Sequence, residues 1–148
     1  MLARLTACLL LLGLAAPAWA QATPVGQVKT VSGTAVLLRD GSRLPAKPGD
    51  AVYEKDVIET GADGGIGVTL IDNTVLSTGP NSQIALEEYK FDSANFSGNM
   101  LADLRKGSAT MVSGDIARAN PGAMKVKTPT AILGVRGTRF AIQVGEGS

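Results

Sequence analysis

Short stretches of alternating apolar and polar residues, cut by turn residues at close spacing, make up most of this chain. Ile66, Val68 and Leu70 alternate with Gly67 and Thr69, a period of two that predicts a half-buried strand. Phe140, Ile142 and Val144 alternate with Ala141 and Gln143 and predict another near the C-terminus. Val31 to Arg39, then Asp40-Gly41, then Ser42 to Leu44 predicts a hairpin, because Asp-Gly readily adopts the positive φ of a two-residue turn. An irregular connector, Pro45 to Asp50, leads into a strand region from Val52 to Glu59. Residues 87–99 mix polar and aromatic positions without a period and are predicted to be an exposed excursion. Met100 to Lys106 runs on into Gly107–Val112 as strand, and Ser113 to Gly122 is predicted to be loop.

Regular short strands with such turns define an all-β domain. A weak internal echo bears on its architecture. Ile58-Glu59-Thr60-Gly61 aligns with Leu76-Ser77-Thr78-Gly79, and at the same offset Ile66 falls on Ile84 and Val68 on Leu86. A fixed offset would stack equivalent apolar residues in one ladder, so the expectation is a single elongated, β-solenoid-like domain. A β-sandwich with similar hairpins is the alternative.

The N-terminus changes the picture of where this domain resides. Arg4 is followed by an apolar block from Leu5 to Ala16, a break at Pro17, and the small-residue run Ala18-Trp19-Ala20. That order predicts a cleaved secretory signal peptide over residues 1–20 and a mature domain over 21–148. The block is too short for a spanning helix, which needs roughly 20 residues. Cys8 precedes the apolar core, an order that does not suit lipidation. The expected location is the periplasm, without stable insertion in a membrane.

Composition then narrows the chemistry. The only cysteine, Cys8, and the only tryptophan, Trp19, lie in the leader, and histidine is absent. Removing the leader leaves 13 basic and 13 acidic residues. Nucleic acid is not expected as a partner, since neither a basic excess nor a stacking platform is present. Cys/His zinc sites and histidine-dependent nucleophilic catalysis lack their side chains. No metal, cofactor or catalytic residue is predicted. Gly64-Gly65-Ile66-Gly67 lacks the aspartate of a calcium nonapeptide and the third glycine of a dinucleotide loop. Glu87-Glu88 on a strand would point to opposite faces, so they do not form a glycosidase pair. Ser108 near Lys106, or Ser42 near Lys47, leaves a small hydrolase as a remote reading.

The densest motif is residues 128–144, TPTAILGVRGTRFAIQV, where Arg136 stands between Gly134 and Gly137. Two readings are open. In one, Arg136 lies in or under a turn and pins it by bonding carbonyls or a carboxylate such as Asp72 or Glu59. In the other, it contacts an anion or a partner. The first is preferred and predicts that Arg136→Ala lowers the melting temperature.

Several pieces in order resemble the FecR-type periplasmic domain. They are Gly33-Thr34-Ala35-Val36, Gly49-Asp50-Ala51-Val52, Asp56-Val57-Ile58-Glu59-Thr60-Gly61, the segment Thr69 to Thr74, Leu104-Arg105-Lys106-Gly107, and the closing motif. The resemblance spans roughly residues 25–144. It marks Thr128, Pro129, Gly134, Val135, Arg136, Gly137, Thr138 and Phe140 as the signature, with a structural role favoured. It implies a β-rich periplasmic domain. In regulators of this type, that domain receives a signal from a TonB-dependent siderophore receptor and relays it towards a sigma factor. The expectation for this chain is a stand-alone, non-catalytic module that binds a periplasmic or envelope protein, with iron-uptake signalling as one setting. A peptidoglycan- or polysaccharide-binding module is the alternative. Strand edges and the 87–99 excursion are the expected docking surface.

Overall fold

Burial alternates along the strands as the pattern requires. Leu76 and Thr78 are buried while Val75 and Ser77 are exposed, and Ile66, Val68 and Leu70 all face inward. The computed structural model describes residues 22–136 and 139–145. The predicted leader and the signature residues Gly137 and Thr138 lie outside the described residues. Twelve strands follow in order: β1 Gly26–Ser32, β2 Ala35–Arg39, β3 Ser42–Pro45, β4 Ala51–Val52, β5 Val57–Thr60, β6 Gly65–Leu70, β7 Val75–Thr78, β8 Gln83–Asp92, β9 Ser97–Val112, β10 Met124–Lys127, β11 Ile132–Gly134 and β12 Arg139–Val144. One helical turn, α1 Asp115–Ala119, sits between β9 and β10.

The strands form one curled sheet in the order β3-β2-β5-β8-β9-β7-β6-β1-β4, with β10 and β12 also on β9 and β11 on β10. It closes into a half-barrel because β9 serves both halves. Its first part, through Lys106, pairs with β8 and runs parallel to β10; its last part, from Gly107, lies between β7 and β12. The bend falls at Gly107, whose φ is +82°. A Cβ there would run into Ser82 and the carbonyl of Asn81, so glycine is needed for both conformation and room. Leu37, Ile58, Leu76, Ile84, Leu86, Leu104, Met111 and Ile116 fill the space that the curl encloses. Each such side chain contributes about 1.5–3 kcal/mol by leaving water.

The all-β expectation holds, and the β2–β3 hairpin turns at Asp40 (φ 49°) and Gly41 (φ 79°) as predicted. The solenoid does not. Stacked coils need parallel neighbours, yet every pairing except β9–β10 is antiparallel. Ile66 lies opposite Val31 and Thr78, whereas Ile84 lies opposite Ile58 and Leu104, so the echo marks two similar crossings between the halves, β5 to β6 and β7 to β8, and not one ladder. Three further expectations need correction. Val31 belongs to β1, because Gly33 (φ 57°) breaks the run before β2. Residues 87–99 are mostly exposed, as expected, but they are the two paired arms of the β8–β9 hairpin and not an irregular excursion, and Tyr89 is buried. Part of 113–122 is α1, anchored by buried Ile116 and Ala117; five residues are too few for a helical period to register.

Candidate interaction surface

Two buried carboxylates organise the first two-thirds of the chain. Asp56, 1% exposed, precedes β5 and accepts Nε of Arg39 at 2.8 Å and Nη2 at 2.6 Å. It also accepts the amide of Tyr53 at 2.9 Å, and the Arg39 guanidinium lies 4.4 Å from the centre of the Tyr53 ring. Nη2 donates again to the carbonyl of Ala51. One arginine therefore ties β2 to the turn between β4 and β5. The hydrogen bond to Asp56 raises the Arg39 pKa further above its ordinary value.

Asp72, fully buried in the β6–β7 turn, is the second. Its carboxylate accepts the Tyr89 hydroxyl at 2.8 Å, the Thr74 hydroxyl at 2.7 Å, and the amides of Thr74 and Ile116. It therefore joins the turn to β8 and to α1. Burial, reinforced by Asp72, pushes the Tyr89 phenol well above its usual range. Both acids lie in pieces that carry the family resemblance, but the sequence did not reveal their buried partners. Arg39 makes a clamp of the kind expected at Arg136.

The signature lies elsewhere and is built differently. Thr128 closes the β10–β11 turn by bonding Ala131 through its amide and its hydroxyl, and Pro129 and Thr130 are exposed at the tip. β11 is exposed throughout, with Ile132 at 64% and Leu133 at 43%. Gly134 is exposed; Val135 turns inward to 5%, its amide donating to the carbonyl of Met124. Arg136 is exposed. Neither carboxylate suggested for it receives it, since Glu59 holds Arg43 at 2.8 Å and Asp72 is enclosed. The Arg43 hydrogen bond lowers the Glu59 pKa. Phe140, Ile142 and Val144 pack on the core edge while Ala141 and Gln143 face outward.

β11 and β12 are the outer strands of the two halves at this end, and neither has a partner on its outer side among the described residues. A groove of about 520 Å³ lies between the β10–β11 turn and the end of β12, lined by Arg105, Lys106, Thr128–Thr130 and Gln143–Gly145. Charge is segregated as well. Residues 100–145 hold seven lysines and arginines against two acids, whereas 22–99 hold six against ten. The rejected carboxylate pair stays apart: Glu87 faces Lys127 at 3.8 Å and Glu88 accepts Asn99.

The domain is thus a curled all-β sheet with buried, multiply bonded acids at one end and two open strand edges, flanked by exposed cations, at the other. The chain belongs to the FecR family: the family model described as "FecR protein" matches residues 56–148, from the buried Asp56 through the signature. No curated protein and no solved structure matches it. Among the described residues, no helix is long and apolar enough to cross a membrane.

Proposed function

We propose that this chain is a non-catalytic, periplasmic signalling-related module that takes a protein partner along the β11–β12 end of its sheet. Membership of the FecR family supports the envelope and signalling setting. The observation that carries the docking surface is the exposure of Ile132 and Leu133 on an edge strand inside the family signature. An open edge offers unpaired backbone groups, and exposed apolar side chains beside it gain by burial. Arg136 then serves as a contact to the partner instead of a pin.

Site-specific photocrosslinking in cells tests this. A benzoyl-phenylalanine placed at Ile132 is expected to capture one discrete envelope protein. The same group at Leu44, exposed at the far end of the sheet, is expected to capture none. Equal capture from both positions, or capture only from Phe96 at the β8–β9 tip, sinks the assignment of the surface.

A further inference from the structure

We infer that the partner's segment is extended and acidic, and that it adds as a further strand along the outer side of β12. This rests on the docking reading above and specifies what the edge accepts. Three observations support it.

The first is the quality of the edge. Natural sheets blunt free edges with short strands, proline, bulges or inward charges. β3 ends in Pro45 and β4 has two residues, so the far end is blunted. β12 is six residues long, contains no proline, keeps an unbroken register with β9 from Arg139↔Val112 to Val144↔Gly107, and carries a charge only at its first position. It is regular enough to template another strand.

The second is the face. Phe140, Ile142 and Val144 lie half-buried along one side and leave their row incomplete. A strand with alternating apolar residues would extend that row, its other side chains facing solvent beside Ala141 and Gln143.

The third is charge. Lys106 is exposed next to Gly107, at the Val144 end of β12; its charge also favours the ionised Glu59, but no contact of ion-pair length joins them. Arg105 beside it pairs, among the described residues, only with Asp103, at 3.3 Å, and its side chain is 45% exposed. Arg139 and Arg136 are exposed at the other end. Cations therefore lie at both ends of a strand that is uncharged after Arg139 and spans roughly 17 Å at the usual rise. The complement is an apolar, alternating centre with carboxylates at both ends.

Fluorescence anisotropy with two labelled ten-residue peptides tests the inference. Both have a centre of alternating valine and threonine; one carries two glutamates at each end, the other two lysines. The glutamate peptide is expected to bind at least about tenfold more tightly, the sum of several exposed ion pairs gained or reversed. Raising the salt should narrow that gap. Lys106→Glu combined with Arg139→Glu should invert the preference. Ala141→Pro and Ile142→Pro remove amides that point to opposite sides of β12. The variant that keeps the parent's melting temperature is expected to lose the peptide, having lost an outward donor.

Equal binding of both peptides overturns the acidic specification and leaves the edge standing. Glutamate-peptide binding that survives both prolines places the contact away from β12. A dimer in sedimentation velocity that the tolerated proline abolishes, with no peptide bound, makes the occupant a second copy. Retention on purified peptidoglycan without peptide binding makes it a wall polymer. Each of these overturns the inference, while capture from Ile132 separately decides the docking surface.

Discussion

The two ends of this sheet use the same residue types for opposite purposes. Around β2, β5 and β8, two buried acids accept several bonds each, one of them from the partly exposed Arg39, and they lock strands and turns together. Around β11 and β12, arginines and lysines face outward, beside apolar side chains that have no cover. A buried charge is costly unless every bond is made, so the first arrangement is tolerated only where the fold supplies all partners. An exposed charge contributes almost nothing to folding and is left free to act on something else. An arginine's role therefore follows from its burial and not from the motif around it.

The largest effect should break the interior end. Arg39→Ala strands the carboxylate of Asp56, and a loss of about 3 kcal/mol is expected in urea unfolding, since removing one partner of a buried pair leaves its charge uncompensated. A change below about 0.5 kcal/mol, the range of ordinary surface substitutions, would erase the contrast between the two ends.

Tyr89→Phe removes one donor to Asp72 and should cost about 1–2 kcal/mol. It also carries a pH signature. The folded chain retains the Tyr89 proton that the unfolded chain releases near about pH 10. The contribution is therefore complete below that pH and falls as pH rises above it. The parent should lose stability in mild alkali more steeply than Tyr89→Phe; parallel curves would show that the phenol is not linked to folding.

Arg136→Ala is the smallest expected effect and the sharpest comparison with Arg39→Ala. Its melting curve should match the parent within about 0.5 kcal/mol, as for an exposed side chain. Capture of the partner from Ile132 should nonetheless weaken. A drop in melting temperature of several degrees would return Arg136 to a structural role.

Much of the strand map was legible because a period of two survives in short runs. The Asp40-Gly41 hairpin, the alternation of β6 and that of β12 each rest on local sterics and one-sided burial. The echo between Ile58 and Leu76 was misread for a related reason. Two strand–turn–strand segments with similar turns repeat locally whether or not they become neighbours, and only the pairing shows that β5 and β7 lie in separate halves. α1 was hidden because buried Ile116 and the Asp72 carboxylate hold a single turn that has no periodic signal of its own. For the signature, the motif was visible in the sequence, whereas the exposure of its arginine was not.

By itself, the sequence determined the all-β class, the family and the lack of histidine, since these depend on residue types and on order over a few positions. The tertiary structure alone decided which arginine meets a buried acid, where β9 bends from one half to the other, and which edges remain open. Those outcomes depend on contacts between residues such as Arg39 and Asp56, or Asp72 and Tyr89, which lie 17 positions apart. Such a contact is stabilising only once the chain between has folded, and no local pattern records it.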